Sequence, residues 1–156
     1  MNPHRLGVIA DTHGLLRLEA VQVLWGADQI LHAGDIGKPE ILDELRKIAT
    51  VVAIRGNVDH GLWAQGLPRT RTVTVGELRI HVIHDLNELQ LDPAAAGFAA
   101  VISGHSHQPS IRHQNGVLFL NPGSAGPRRF NLPVSVAQLR LDGAKLVAEL
   151  VELHPS

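Results

Sequence analysis

The chain of 156 residues is 44% hydrophobic, has a formal net charge of −1 with its histidines neutral, and contains no cysteine. No stretch reaches the ~18 consecutive apolar residues of a membrane span, and the dispersed basic residues indicate no nucleic-acid groove. The lack of cysteine excludes disulfides, thiolate metal sites and thiol nucleophiles. We therefore expect one compact, soluble domain over residues 1–156, located in the cytoplasm because no apolar signal-peptide region is evident.

The first third of the chain alternates short β-rich runs with helical patterns. The predicted strands cover residues 5–10, 28–32 and 50–55, while the segments 15–26 and 39–49 between them carry apolar residues at helical spacing. Pro39 suits the first turn of the second helix, and Gly26 suits the end of the first. This βαβαβ order predicts a parallel sheet that is buried on both faces.

The rest of the chain contains hairpin signals and less helix. Residues 70–75 and 78–84 form one predicted hairpin, and a short helix over 92–98 leads into a strand over 99–103. Asn-Gly and Asp-Gly turns mark two more hairpins, which join 110–114 to 117–122 and 133–141 to 145–153. The second half should therefore be mostly antiparallel, within an α/β fold.

Polar side chains follow each of the first three predicted strands. Asp11 and His13 follow the first strand, Asp35 the second and Asn57 the third. Because α/β sheets bind ligands at the carboxyl ends of their parallel strands, these four side chains should converge. A lone D-x-H, G-D or G-N is more often a turn or cap, so the prediction depends on their order and placement together.

Three histidines of the second half can reach the same edge. His84 ends a hairpin strand, and His105 and His107 follow the strand over 99–103. Residues i and i+2 of an extended segment point the same way, so each D-x-H or H-x-H pair can present two side chains to one small volume. The candidate site residues are Asp11, His13, Asp35, Asn57, His84, His105 and His107.

These residue types favour binding of metal ions by nitrogen and oxygen. Seven donors are too many for one tetrahedral zinc, but they suit two adjacent divalent ions if one carboxylate bridges them. Asp35 is the natural bridge. Two such ions exceed the charge of Asp11 and Asp35 together, and the remaining positive charge favours an anionic substrate such as a phosphate ester.

The ordered motifs D-x-H, G-D, G-N, H and G-H-S-H resemble those of the calcineurin-like metallophosphoesterase superfamily, over nearly the whole chain. The short length and the segments HAGD, GNVD and NPGSAGPR most resemble its small prokaryotic phosphodiesterase branch. The resemblance implies a four-layer αββα sandwich and a small phosphate-ester substrate. It also implies two divalent ions, Mn²⁺ before Ni²⁺, Fe²⁺, Co²⁺ or Zn²⁺. A homo-oligomer is compatible with the sequence.

The resemblance assigns three side chains to each ion and one side chain to both. One ion would bind Asp11, His13 and His107, the other Asn57, His84 and His105, with Asp35 between them. The ions would lower the pKa of a bridging water, so that hydroxide attacks phosphorus in line with the leaving alcohol. Asp35, Asn57 and His105 are the expected catalytic residues.

Three features depart from the family pattern or leave two readings open. Asp85 stands where the family usually has glycine, so it either adds a carboxylate near the site or disturbs the loop. Val58 stands where many larger relatives have a histidine that protonates the leaving group, a role that His60 could take instead. The segment 121–129 is either a plain turn or a phosphate contact through Arg128 or Arg129.

Other histidines have simpler explanations. His32 and Asp59 lie beside candidate ligands, where they either orient those ligands or stabilise a local turn. Exposed or core-edge positions suffice for the histidines without partners in the pattern, which are His4, His81, His113 and His154. Two other functions compete with phosphoester hydrolysis: a non-catalytic protein-binding scaffold of the same fold, as in the eukaryotic retromer subunit, and a di-metal hydrolase of another bond such as an amide.

Overall fold

The computed structural model describes residues 4–155, and these form ten strands, three α-helices and one 3₁₀ helix. The strands are β1 (Arg5–Ile9), β2 (Gln29–His32), β3 (Thr50–Ala53), β4 (Thr70–Val75), β5 (Leu78–Ile83), β6 (Ala100–Ile102), β7 (Ser110–Gln114), β8 (Val117–Asn121), β9 (Ser135–Asp142) and β10 (Lys145–Glu152). The helices are α1 (Leu18–Leu24), α2 (Pro39–Arg46) and α3 (Leu62–Gln65), and the 3₁₀ helix covers Leu86–Glu88.

Two five-stranded sheets form the framework. The first has the order β10-β9-β1-β2-β3, in which β1, β2 and β3 are parallel as predicted, and the second has the order β4-β5-β6-β8-β7. Side chains of both sheets, such as Val8, Leu31, Ile80 and Ile102, pack into one buried core between them. The sheets therefore make the two inner layers of a sandwich.

Helical segments cover the outer faces of the two sheets. Ala20 and Leu24 of α1 and Leu45 of α2 are buried against the first sheet. On the second sheet the cover is short: Leu86 and Leu89, in and beside the 3₁₀ helix, pack against a small apolar cluster, and Phe98 packs on His81. The fold is the αββα sandwich that the sequence implied, with a reduced fourth layer.

The ends of the first two helices follow the sequence signals. Pro39 is the first residue of α2, where its missing N–H has no helical partner to lose. Helix α1 ends at Leu24, and Gly26 adopts a φ of 91°, a left-handed conformation that glycine reaches without steric cost. Both predictions are confirmed.

The predicted helix over residues 92–98 is wrong. The segment makes a single turn, in which the N–H of Ala96 donates to the carbonyl of Asp92 at 2.9 Å. The Asp92 carboxylate also accepts from the N–H of Ala94 at 3.1 Å. Gly97 then adopts a φ of 82°, which ends the turn before a second one can form.

The second half is less antiparallel than the sequence predicted. The three predicted hairpins form, but β5 pairs with β6 and β6 with β8 in parallel. Val101 and Ile102 of β6 are both buried, on opposite faces of the strand. A central strand covered on both faces suits parallel pairing, and hairpin signals carry no information about it.

No helix in the part of the chain described here is long and apolar enough to span a membrane.

Candidate metal centre

The loops after β1 and β2 are hydrogen-bonded to each other. The N–H of Asp11 donates to the carbonyl of Gly34 at 3.0 Å, and the N–H of His13 donates to the carbonyl of Asp35 at 2.9 Å. A third bond joins the N–H of Gly14 to the neighbouring loop at 2.8 Å. The two loops therefore form one unit at the carboxyl edge of the first sheet.

Five candidate site residues adopt a left-handed backbone conformation. Their φ angles are 56° at Asp11, 47° at His13, 56° at Asp35, 72° at His105 and 63° at His107. Among residues 4–155 only two other non-glycine residues, Asn115 and Phe130, have a positive φ. Each such residue costs about 1–3 kcal/mol, and such strain clusters at functional sites. The expectation that the D-x-H and H-x-H pairs are extended is therefore wrong, because backbone kinks direct these side chains.

One group of donors comprises Asp11, His13 and His107. The Oδ1 atom of Asp11 lies 3.8 Å from Nε2 of His13 and 3.6 Å from Nε2 of His107. All three residues offer ligand atoms within 4.8 Å of one another. Two nitrogen or oxygen ligands of one ion lie up to ~4.4 Å apart, given bonds of ~2.0–2.2 Å, so these spacings suit a single cation.

A second group comprises Asp35, His84 and His105, whose ligand atoms also lie within 4.8 Å of one another. The Nε2 atom of His84 is 3.1 Å from Oδ2 of Asp35, and its Nδ1–H donates to the carbonyl of Ala33 at 2.7 Å. That bond leaves Nε2 as the nitrogen that can bind a metal ion. The same Asp35 oxygen is 3.7 Å from Nε2 of His13 in the first group. The two groups are therefore adjacent, with Asp35 between them.

Asn57 lies at the mouth of this region. Its side chain is exposed and, with His84, lines a cavity of about 560 Å³. The N–H of Val58, the next residue, donates to Oδ1 of Asp35 at 3.1 Å. A second cavity of about 340 Å³ is lined by His105 and Asp85, and Asn87 borders both cavities. The candidate centre therefore lies between two openings.

Several potential metal-ligand atoms of the site are buried without a hydrogen-bond partner among the residues described. They are Oδ1 of Asp11, Nε2 of His13, Nε2 of His84 and Nδ1 of His107. A buried polar atom left unpaired costs about 1–3 kcal/mol. Carboxylate oxygens and imidazole nitrogens are the ligands that divalent transition metals prefer, so these residues fit a metal centre.

Burial and neighbouring charges separate the pKa values of the central groups. Burial raises the pKa of Asp11 to about 7, although His84 opposes the rise. Burial would also raise the pKa of Asp35, but the adjacent His84 and the N–H of Val58 outweigh it and hold that pKa at about 2. Burial would lower the pKa of His84, but Asp35 and the carbonyl of Ala33 raise it to about 8. Without metal, Asp35 is therefore ionised and His84 protonated at neutral pH, which makes them an ion pair at 3.1 Å.

The remaining imidazoles of the first group are neutral. Burial, followed by the positive charge of Arg129, lowers the pKa of His107 to about 4. The pKa of His13 is also lowered, first by burial, while Asp35 opposes and Arg129 adds to the effect. Neutral imidazoles can donate a lone pair to a metal. Arg129 acts on three site groups, since its charge also lowers the pKa of Asp11.

His32 links the two loops. Its Nδ1 accepts from the N–H of Gly34 at 3.1 Å, and its Nε2 lies 3.0 Å from the hydroxyl of Thr12. That hydroxyl donates to the carbonyl of Ile36 at 2.8 Å, so it accepts from His32. Burial lowers the pKa of His32 to about 3, in keeping with a neutral ring. His32 therefore orients the loops that carry Asp11 and Asp35.

Asp59 supports the same loops from the third strand. Its buried carboxylate accepts from the N–H groups of Ile36 at 3.2 Å, Gly37 at 2.9 Å and Gly56 at 2.9 Å. The bonds connect the loop of Asp35 to the loop of Asn57. Sequence reasoning left the role of Asp59 open, and the two long-range contacts with Ile36 and Gly37, together with the local one to Gly56, decide for loop support.

The segment 121–126 also supports the loops that carry His105 and Asp11. The amide of Asn121 donates to the carbonyl of Gly104 at 3.0 Å and to the hydroxyl of Ser106 at 3.1 Å, on either side of His105. The hydroxyl of Ser124 donates to the carbonyl of Asp11 at 3.0 Å. Sequence reasoning missed this role, for which an Asn-Pro-Gly turn directly after a strand was the only signal.

Asp85 adds a carboxylate beside the site. Its Oδ2 lies 3.7 Å from Nε2 of His105, while Oδ1 accepts from the N–H of Asn87 at 3.0 Å and caps the 3₁₀ helix. The loop is thus ordered by this aspartate.

Of the unassigned histidines, His81 is buried and stacks on Phe98 with ring centroids 5.0 Å apart, and the exposed ones are His60, His113 and His154.

Comparison with known proteins identifies the family. Residues 5–144 match the calcineurin-like phosphoesterase superfamily domain. The chain is 37% identical over 158 aligned positions to a probable metallophosphoesterase of Methanothermobacter thermautotrophicus, covering 94% of this chain and 91% of the relative. The chain therefore belongs to the calcineurin-like phosphoesterase superfamily.

Solved structures share the fold at low sequence identity. A novel archaeal phosphodiesterase matches with a TM-score of 0.80 at 20% identity, covering 96% of this chain and 99% of its own. Vps29 of Chaetomium thermophilum matches with a TM-score of 0.78 at 20% identity, covering 98% of each chain. The same framework therefore occurs in a phosphodiesterase and in a vacuolar protein sorting protein.

Asp59→Ala should destabilise the protein more than the removal of an exposed turn-capping carboxylate. Its three backbone donors would be left unpaired in a buried position, and hydrogen bonds to a charged group contribute about 1.5–3 kcal/mol. We expect a loss of about 3 kcal/mol in the free energy of unfolding, measured by urea titration in chelator. Asp92→Ala is the matched control and should lose less than about 1 kcal/mol, because solvent can replace its bonds. Equal losses would contradict the loop-support role.

Proposed function

We propose that this protein is a metal-dependent phosphodiesterase that hydrolyses phosphate esters at a two-ion centre. The observation that carries the proposal is the set of buried donor atoms of Asp11, His13 and His84 that face one another without hydrogen-bond partners. Membership of a metallophosphoesterase superfamily favours phosphorus esters over amide bonds as substrates. The name of the archaeal relative of the same fold is consistent with a diester substrate.

The proposed ligand set has three side chains for each ion and one between them. One ion takes Asp11, His13 and His107, the other Asn57, His84 and His105, and Asp35 bridges. The spacing of the first three supports their assignment to one ion. The bridging role of Asp35 is supported by its position between the groups, with one oxygen 3.7 Å from His13 Nε2 and 3.1 Å from His84 Nε2.

Nitrogen and oxygen donors without thiolates suit Mn²⁺, and they also accept Ni²⁺, Fe²⁺, Co²⁺ or Zn²⁺. When bound, two such ions supply a hydroxide nucleophile and polarise the phosphoryl oxygens. The chain itself holds the donors in fixed positions. Arg129 adds a positive charge that acts on Asp11, His13 and His107, which supports a role in attracting the substrate phosphate.

The cavities on either side of the centre support a diester rather than a monoester. His105 lines the smaller cavity and Asn57 the larger one, and both cavities border Asn87. A phosphate held between these residues can extend one ester arm into each cavity. A monoester would leave one cavity without contacts.

A non-catalytic scaffold is the competing function, favoured by the fold shared with Vps29. Phe130 and Leu62 are large apolar side chains exposed at 90% and 85%, which a protein partner could cover. A scaffold would not need unpaired donor atoms in its interior, however, so we prefer the enzyme.

A matrix of metals and substrates tests the proposal. Chelated protein would be reconstituted with each of the five ions and assayed on generic diesters, cyclic nucleotides and mononucleotides. We expect hydrolysis that depends on the ion, with diesters ahead of monoesters. No hydrolysis with any ion, together with stable capture of a protein partner, would support the scaffold.

Metal affinity should rise steeply with pH between about 6 and 8. In the metal-free protein the pKa of Asp11 is about 7 and that of His84 about 8, so both hold protons at pH 6. Because ligands must lose these protons, affinity falls as pH drops below each pKa, by up to about 100-fold per pH unit when two protons are displaced. Calorimetry in buffers of different ionisation enthalpy would measure the proton release. An affinity that is constant from pH 6 to 8 would refute the assignment of these two ligands.

Asp35→Asn should reduce activity more than Asn57→Ala does. The first substitution removes the proposed bridge and half of the negative charge of the two aspartates, whereas the second removes one neutral donor from one ion. We expect a loss of more than ~100-fold for Asp35→Asn and a smaller loss for Asn57→Ala. Metal analysis would accompany the kinetics. Retention of two full ions in Asp35→Asn would be inconsistent with bridging.

The parent protein should prefer activated aryl esters over alkyl esters. Val58, exposed at 43%, stands where a proton donor would be needed, and a positioned general acid contributes ~10²–10⁴ in rate. We expect kcat/KM to depend steeply on the pKa of the leaving group, and the dependence to become shallower in Val58→His. His60→Ala is the control. A shallow dependence in the parent that steepens only in His60→Ala would show that His60 is the acid.

A further inference from the structure

A positively charged surface adjoins the proposed centre. The cavity of about 560 Å³ is lined by Arg55 and Arg69 as well as by Asn57 and His84. The last two residues are proposed ligands of one ion, so the arginines and the reacting phosphate would share one space.

Arg55 is held at this cavity by its backbone. It follows β3, and its N–H donates to the carbonyl of Pro68 at 2.8 Å, which brings the segment of Arg69 alongside. The Nε atom of Arg55 is buried and has no hydrogen-bond partner among residues 4–155. A cationic donor in that position is costly unless an acceptor from outside the chain meets it.

The charge balance of the cavity favours an anion. Glu88 is the one carboxylate side chain among the residues that line it, against two guanidinium groups. In the part of the chain that the structure describes, neither arginine forms a salt bridge within 4.0 Å. Guanidinium groups bind phosphate and similar oxyanions through two parallel hydrogen bonds.

The smaller cavity has a different character. The carboxylate of Asp85 lies beside His105 at its rim, 3.7 Å from the imidazole. The guanidinium of Arg112 there already donates to Gln114 at 2.7 Å and lies over the ring of Phe119 at 4.4 Å. A negatively charged ester arm is therefore better accommodated on the side of Arg55 and Arg69.

We propose that Arg55 and Arg69 form a subsite for a second phosphate-type anion, carried on one ester arm of the substrate. The inference rests on the proposed function, since it places the scissile phosphate at the neighbouring centre. It defines the substrate class as a phosphodiester that bears a further anionic group, rather than a diester with two neutral arms.

Two diesters with the same leaving group would test the subsite: p-nitrophenyl ethyl phosphate and its analogue with a phosphonate on the terminal carbon of the ethyl arm. In the metal-loaded parent we expect kcat/KM for the phosphonate to exceed that for the ethyl ester by roughly tenfold at low salt, mainly through KM. The ratio should fall towards one in Arg69→Gln and in Arg55→Gln. Arg69 is exposed, so its variant remains informative if Arg55→Gln folds poorly.

Arg71→Gln is the matched control, because it removes the same charge two residues along from an exposed side chain that does not line the cavity. It should keep the ratio of the parent. Equal kcat/KM for both esters in the parent, or a preference that survives both cavity substitutions, would overturn the proposal. Inorganic phosphate inhibition that depends on Arg69 without a preference for the phosphonate arm would also overturn it, in favour of a free-anion site. Failure of every protein to hydrolyse the ethyl ester with any ion would instead count against the proposed function.

Discussion

Hydrogen bonds between the strand-end loops fix the backbone that carries the donors of the site. The loops after β1 and β2 exchange bonds from Asp11 to Gly34 and from His13 to Asp35, both at about 3 Å. These bonds hold the backbone in left-handed conformations that cost about 1–3 kcal/mol for each non-glycine residue. The loops also approach too closely for side chains, since a Cβ on Gly37 would lie 2.3 Å from the nitrogen of Gly14. Side-chain positions here follow from backbone pairing.

The electrostatics of the site follow from that geometry. Two aspartates and several imidazoles are held close together away from solvent, so without a cation the charges must be balanced by protons. Asp11 therefore has a pKa raised to about 7, and His84 has one raised to about 8. A divalent ion would replace these protons and would also satisfy the unpaired atoms of Asp11, His13 and His84. Metal binding and the stability of the loops should accordingly be coupled.

The sequence predicts the strand ends and the residues that gather there, but not the conformation that gathers them. Strand periodicity and glycine placement were enough to predict that Asp11 and Asp35 lie at one edge of the sheet. The D-x-H and H-x-H pairs are not extended, because their left-handed conformation depends on bonds to loops distant in sequence. The roles of Asp59 and Asn121 could not be predicted from local patterns for the same reason. Asp59 accepts from Ile36, 23 residues away, and Asn121 donates to Ser106, 15 residues away.

The parallel pairs of the second sheet escaped prediction for a related reason. Hairpin signals specify which neighbouring strands pair, whereas the position of β6 between β5 and β8 depends on how both of its faces are buried. The predicted helix over residues 92–98 is a single turn because Gly97 ends it, and composition alone did not indicate that end. Local signals were sufficient where bonds are local, as at Pro39 and Gly26.

The energetic cost of the site bears on the choice between enzyme and scaffold. Five left-handed non-glycine residues of the site and four buried ligand atoms without hydrogen-bond partners destabilise the fold when no metal is bound. Apolar side chains at the same positions would remove the cost of the unpaired atoms, and binding a protein partner at an exposed surface such as that of Phe130 would not require that cost. The cost of the unpaired atoms is offset only when a ligand satisfies them, and a cation beside Asp11, His13 and His84 would satisfy three of the four. The physical case for a metal centre is therefore independent of which substrate the neighbouring cavities accept.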